Sequence, residues 1–273
     1  MSPPSNFISK NLKFPVRFHG QVLVSSKEII AGKETWNIPE EVPIAFVFNK
    51  RNYAIMMGTP QDLVDFAIGF SLTEDVIRDQ ADINSFDIYL SEQGADLRFN
   101  ISDEALERLD IVQRRRNIIG SASCGLCGLE NAETLFKKLP RVSEKPLILD
   151  EAVTAKAISS MFDKQPLNQM TRSVHAAAWV DFGGKIKSIR EDVGRHNALD
   201  KLLGALAIDN SDVSNGFVLI SSRCSYEIVE KAAKRGVRAI VSISGPTAFA
   251  LRKAQQANMA IYSRSGEGAV RLL

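Results

Sequence analysis

Apolar residues recur along the chain at two spacings. Between Val22 and Met57 they gather in the short β-rich runs VLVSS, VPIAFVFN and YAIMM, and the polar Asn49-Lys50-Arg51-Asn52 between the last two predicts a hairpin. The spacing then lengthens. Apolar residues at 63, 64, 66, 67, 68 and 70, with Thr59 as N-cap and Pro60 at the first helical position, predict a helix ending between Gly69 and Thr73. Alternation returns in FDIYL and DLRFNI, two strands around Gln93-Gly94, and Ser102 opens a helix to about Gln113 with Ala105, Leu106, Leu109 and Val112 on one side. Residues 1–20, with Pro3, Pro4 and Pro15 among polar neighbours, read as a loosely ordered arm.

After residue 114 the pattern breaks into the glycine-rich stretch 114–131, RRRNIIGSASCGLCGLEN, followed by a helix over ENAETLFKKLP that Pro140 closes. The polar RVSEKP that follows reads as a linker, placing a domain boundary near residue 145. From there strand and helix alternate: a helix over DEAVTAKAISSMFDKQP capped by Asp150, strand HAAAWVDF, a Gly183-Gly184 turn, strand KIKSIRED, helix 195–208, strand GFVLISS, helix 225–235, strand VRAIVSIS, helix 247–257 and strand MAIYS. That order predicts an α/β layer structure with a partly parallel sheet over 146–273, preceded by a smaller α+β domain over 21–145. Ligands of such sheets collect beyond the carboxyl ends of the strands, which nominates the loops 190–197, 221–225 and 243–247.

Composition narrows the class. The 34 Lys and Arg against 32 Asp and Glu leave a net charge of +2, too small to point to a nucleic-acid partner. Three cysteines, two of them in one loop, do not form a secreted disulfide framework. The first residues lack a signal-peptide pattern, and no uninterrupted apolar run reaches ~18 residues, so the expectation is a soluble cytoplasmic protein with no membrane partner.

The candidate chemistry lies in four places. Cys124 and Cys127 form a C-x-x-C pair among Gly120, Gly125 and Gly128, a composition that predicts a mobile loop, and Arg114, Arg115 and Arg116 favour the reactive thiolate if they fold back toward it. One C-x-x-C supplies two of the four ligands of a structural zinc site, and no second pair exists, so no metal is assigned. In REDVGRHNALDK, the residues Arg190, Glu191, Asp192, Arg195, His196, Asn197, Asp200 and Lys201 surround Gly194. They suit a nucleotide held at a strand-to-helix junction, or equally a helix cap whose charges pair with one another. Ser221, Ser222, Arg223 and Ser225 could hold a phosphate, whereas Cys224 reads as a small packed residue. Ser244, Gly245, Pro246 and Thr247 stand at the same level, Thr247 being an N-cap or a ligand contact. His175 and His196 are candidate proton donors or stacking partners, or are simply hydrogen-bonded; His19 is given no role.

SASCGLCG, REDVGRHNALDKLLG, SSRCSYEIVEKAAKRG and SISGPT, in this order, closely resemble the FdhD family of sulfur carriers needed to make active formate dehydrogenase. EVPIAFVFN and MMGTPQDLVDFAIGFSLTEDVI resemble that family's N-terminal part, so the likeness spans roughly residues 40–250. It implies that a cysteine desulfurase hands sulfane sulfur to Cys124 as a persulfide, with Cys127 as its partner. The sulfur then passes to the molybdenum cofactor, bis-molybdopterin guanine dinucleotide, before insertion into apo-formate dehydrogenase. It also implies a cytidine-deaminase-like fold for the second half, a homodimer, and a guanine nucleotide site for which GDP is a mimic. The deaminase zinc signature H-x-E…P-C-x-x-C is absent, so no deaminase chemistry follows. Two segments depart from the family: its Thr-Gly-Gly reads Thr171-Arg172-Ser173 here, and its C-terminal Gly-Phe-x-Arg cofactor motif reads Tyr262-Ser263-Arg264-Ser265-Gly266-Glu267-Gly268. The second still offers backbone N–H groups, hydroxyls and a guanidinium, so Ser263, Arg264, Ser265, Gly266, Glu267 and Gly268 join the expected cofactor residues. Two other classes fit the same residues: a cofactor chaperone whose thiols serve only docking, and a small zinc-dependent regulator.

Overall fold

The computed structural model describes residues 11–113 in full, the backbone of 114–120, and residues 138–273. In chain order the strands are β1 (Val16–His19), β2 (Ser26–Ala31), β3 (Glu34–Pro39), β4 (Val42–Phe48), β5 (Arg51–Gly58), β6 (Ile83–Ser91), β7 (Gly94–Ile101), β8 (His175–Asp181), β9 (Ile186–Asp192), β10 (Gly216–Ile220), β11 (Ala239–Ser242), β12 (Ala260–Ser265) and β13 (Gly268–Arg271). The helices are α1 (Leu63–Thr73), α2 (Asp103–Gly120), α3 (Glu151–Met161), α4 (Pro166–Thr171), α5 (Arg195–Ile208), α6 (Tyr226–Lys234) and α7 (Ala248–Ala257).

The first half is a five-stranded sheet in the order β1-β6-β7-β4-β5. Asn49 and Lys50, at φ 45° and 67°, make the tight turn between β4 and β5 that the polar run predicts. Inward-facing Phe46 meets Phe66 and Phe70 of α1 and Phe48 stacks on Phe99, while the opposite face is polar and carries Arg17, Asp87, Asp96 and Arg98. The second half is a six-stranded mixed sheet, β13-β12-β11-β10-β8-β9, in which β10, β11 and β12 are parallel. Helices α5, α6 and α7 cover one face and α3 the other.

The two halves meet helix to helix. Ten of the eleven residues of α1 and eleven of the fourteen of α5 are buried, more than a single apolar stripe would require. They cross at Gly69 and Gly204: a Cβ on Gly69 would lie 1.7 Å from the Asp200 carbonyl oxygen, and one on Gly204 1.9 Å from that of Asp65. Backbone-to-backbone approach at this distance excludes any side chain. Burying Phe66 and Phe70 at this layer contributes about 1.5–3 kcal/mol each.

Several expectations need correction. Residues 11–20 are not a loose arm: Leu12, Phe14, Val16 and Phe18 alternate against the first core, and β1 pairs in parallel with β6. Helix α1 starts at Leu63 rather than after Thr59, with Asp62 in the left-handed region at φ 52°, because Thr59 is committed to contacts described below. Helix α2 runs past Gln113 to Gly120, so the arginine triplet lies within a helix. The predicted helix over 150–166 stops at Met161, and α4 starts separately at Pro166 and closes at Arg172, in the left-handed region at φ 53°. The segment 141–146 is not a free linker. Val142 N–H donates to Ala257 O, the Asn258 amide donates to the Ser143 and Glu144 carbonyls, and beyond it Tyr262 Oη bonds both Leu147 and Leu149. The β2–β3 hairpin and β13 had no counterpart in the sequence pattern. The helix expected over 130–140 lies mostly outside the described residues.

Candidate functional site

The second-half candidates converge on one edge of the six-stranded sheet. β10, β11 and β12 end there together, β8 begins there because it runs antiparallel to β10, and β9 ends there because Asp192 pairs with His175. Along the edge stand, in order, the β12–β13 turn with Ser265 to Gly268, then Ser263 and Arg264, the loop 243–247, the loop 221–225, His175, and the loop 192–197. Five strand spacings make this edge about 24 Å long.

Main-chain and hydroxyl bonds tie the loops together. Thr247 N–H donates to Cys224 O, Ile243 N–H to Ile220 O, and the Ser221 hydroxyl accepts from Ala176 N–H at 2.8 Å. The Ser242 hydroxyl donates to the carbonyls of Ser222 and Ser244, and Ser263 Oγ reaches Ser244 O at 3.5 Å. The helices α6 and α7 therefore present neighbouring N-termini on this edge, with Ser225 and Thr247 as their caps. Unpaired N–H groups and the positive ends of two helix dipoles favour an anion there. The Thr247 hydroxyl accepts from Ala250 N–H, so its capping role is filled while the residue stays exposed.

The charged loop resolves into two sets. Arg190 bonds Asp65 at 2.6 Å, Glu191 accepts the N–H groups of Leu167 and Asn168, and Asp200 accepts from Thr73 and Lys231. Asp192 and Lys201 are fully buried and paired at 2.6 Å, and the Asn197 amide bonds Asp192 and Met57 O. These six side chains build the loop and face inward, so Asp192 and Asn197 are corrected from ligand contacts to supports. Arg195 and His196 remain on the outer side. The Arg195 Nε is buried without a partner among the described residues, a donor aimed at no protein acceptor. His196 Nε2 donates to Glu227 at 2.9 Å and lies 3.3 Å from the Ser225 hydroxyl; that bond from His196 holds Glu227 below the usual carboxylate range. Burial first, then Arg195, pulls His175 below the ordinary imidazole value, which leaves it neutral at pH 7.

Ser222 is buried, its hydroxyl spent on Arg223 O, whereas Arg223, Arg264, Ser265, Gly266 and Glu267 are exposed and Ser244 and Ser263 half-buried. Gly268 is buried, and a Cβ there would lie 2.7 Å from Glu151. Cys224 is packed, as its setting between core elements predicts, and burial pushes its thiol up to about 12. Cys124 and Cys127 lie outside the described residues. The sequence reading missed Glu227, the tilted ring pair Tyr226 and Phe249 at 5.1 Å, and Arg252 over Phe249 at 5.4 Å. An acidic residue in the first turn of α6 was the available signal for Glu227. No helix among the described residues is long and apolar enough to cross a membrane.

Comparison with known proteins is consistent across three measures. The sequence is 42% identical over 224 residues, 82% of this chain and 79% of the relative, to a protein of Xanthomonas euvesicatoria pv. vesicatoria named sulfur carrier protein FdhD. It is 42% identical over 224 residues, 82% of this chain and 77% of the relative, to the protein of that name in Cupriavidus necator. A crystal structure from Desulfotalea psychrophila, described as a formate dehydrogenase accessory protein, shares the mixed α/β fold with a TM-score of 0.65 at 21% identity, covering 90% of this chain and 94% of that one. A sequence model of the FdhD/NarQ family matches residues 39–271. This chain belongs to the FdhD/NarQ family.

Proposed function

We propose that this protein is a sulfur carrier for formate dehydrogenase, acting as a sulfurtransferase through Cys124. The observation that carries this is the 42% identity, over 82% of the chain, to proteins named sulfur carriers. The Cys124 thiolate attacks the outer sulfur of a persulfide on a cysteine desulfurase, the desulfurase cysteine leaves as a thiolate, and the sulfane sulfur stays on Cys124 with no net redox change. Cys127 either relays the sulfur or reclaims a stalled persulfide by forming a disulfide and releasing hydrosulfide. The cargo acceptor is bis-molybdopterin guanine dinucleotide, delivered afterwards to apo-formate dehydrogenase. The setting is the cytoplasm and the working form a homodimer.

The sheet edge suits that cargo. Its length, the paired helix N-termini, the Arg195 Nε that has no partner among the described residues, and the exposed Arg223 and Arg264 match a long ligand carrying phosphates rather than a compact anion. The parallel trio β10–β11–β12 flanked by antiparallel strands supports the cytidine-deaminase-like reading of the second half. Of the three cysteines, Cys224 is unsuited to sulfur chemistry, because a thiol titrating near 12 holds almost no thiolate at pH 7.

The test is mass spectrometry of the protein after incubation with a cysteine desulfurase and cysteine. The wild type and C127A gain the mass of sulfur on Cys124, C124A does not, and Cys224 stays unmodified until the protein is denatured. Sulfur added normally to C124A, with transfer intact, removes the assignment.

A further inference from the structure

Thr59 is wholly buried, and its N–H, hydroxyl and carbonyl all reach the segment 192–201, across a separation of more than 130 residues. Its N–H donates to Asp192 Oδ2 at 3.1 Å, its hydroxyl accepts from Val193 N–H at 3.2 Å, and its carbonyl accepts from Lys201 Nζ at 2.9 Å. The other oxygen of Asp192 accepts from Gly194 N–H at 2.8 Å and from the Asn197 amide at 3.0 Å. That amide also donates to the Met57 carbonyl at 2.8 Å, two residues before Thr59. A Cβ on the intervening Gly58 would sit 2.9 Å from Asn197 Nδ2. The β5–α1 connection of the first half thus grips the first turn of α5 and the strand end before it. On the same turn His196 reaches Ser225 and Glu227 at the N-terminus of α6, and Arg195 lies near His175, both toward the sheet edge.

We propose that Thr59 is a positioning residue for the nucleotide-binding loop: its hydroxyl fixes the Val193–Gly194 backbone so that Arg195 and His196 face the ligand. This rests on the reading of the sheet edge as the site of a guanine nucleotide, and it adds that the first half determines how well that site is formed. A buried N–H left without an acceptor costs the local structure enough to populate an open loop. Helix packing of α1 against α5 does not depend on that one bond, so the loss stays local.

The experiment compares wild type, T59V, T59S and T59A as full chains. Amide hydrogen exchange at Val193 and Gly194 reads the loop directly, and GDP binding by calorimetry reads the site. In T59V those two amides exchange about tenfold faster while core amides of β10 and β4 keep their protection, and GDP binds about tenfold more weakly. Serine, which restores the hydroxyl, returns both to near the wild-type values; T59A repeats the loss and replaces T59V should that variant not fold. Unchanged exchange at Val193 and Gly194, or a rise spread evenly over the chain, overturns the proposal, as does undiminished GDP affinity in T59V. If wild type binds no GDP while the two amides still loosen in T59V and recover in T59S, the positioning stands and the nucleotide reading falls.

Discussion

Asp65 lies on α1 with its carboxylate 2.6 Å from Arg190 Nε, on the strand that leads into the candidate loop. Burial is the largest influence and raises its pKa to about 6, against the opposing pull of Arg190, with Asp62 adding to the rise. Between about pH 4 and 6 the folded protein therefore binds a proton at Asp65 that the unfolded chain does not. The cost of the charged form, of order 3 kcal/mol, is present in full above pH 6 and is relieved as the pH falls. Relative to D65N, which does not titrate, the wild type gains stability from pH 6.5 to pH 4.5; urea unfolding of both proteins across that range checks it. A wild-type advantage that shrinks as the pH falls contradicts the assignment. The same scale shows why charge alone was a poor guide to the site. Of eight polar residues in Arg190–Lys201, six satisfy buried partners and two face the ligand edge, and the partners of the six include Thr59, Asp65, Thr73 and Lys231, which lie far from them in the chain.

At the scale of the element, α1 and α5 are buried at nearly every position rather than along one stripe, because each lies between a sheet and the other helix. Their closest approach is set by Gly69 and Gly204, where the gap has room for hydrogen alone. G204A drives the helices apart and loosens the core on both sides, an overpacking cost of at least about 3 kcal/mol that thermal unfolding should show as a drop of ten degrees or so. G183A is the control, because its Cβ would meet only the end of Asp181 at 3.3 Å and φ there is not in the left-handed region. Equal melting temperatures for the two variants would mean the crossing is not tight. The sequence placed α5 at its true ends because a strand end and a glycine bound it; it misplaced the start of α1 because Thr59 and Pro60 carry a strong capping pattern. The tertiary contacts of Thr59 outweigh a cap worth about 1 kcal/mol.

For the whole molecule, two buried ion pairs of the second half flank α5, and their members also bond the first half, Lys201 donating to the Thr59 carbonyl and Asp200 accepting from Thr73. Lys201 pairs with Asp192 at 2.6 Å with both side chains wholly buried, and Lys231 pairs with Asp200 at 2.8 Å. K201M leaves the buried Asp192 carboxylate without its counter-charge and lowers stability by about 3–5 kcal/mol in denaturant titrations, and K201M combined with D192N recovers much of that loss. A double variant no more stable than K201M would show that the uncompensated Asp192 charge is not the source of the loss. The sequence by itself determined the alternation of strand and helix, the mixed sheet of the second half, the three loops at its carboxyl edge and the thiol pair at Cys124 and Cys127, since these follow from short-range periodicity, turn chemistry and motif. Only the tertiary structure decided that residues 11–20 belong to the first core, that a β2–β3 hairpin and β13 exist, that the halves join through two glycines, and which charges face the ligand edge. The β2–β3 and β12–β13 pairings are local and lack a strong alternating pattern, whereas the other outcomes depend on contacts between residues as much as about 70 to 160 positions apart, where burial and partner geometry override local preference.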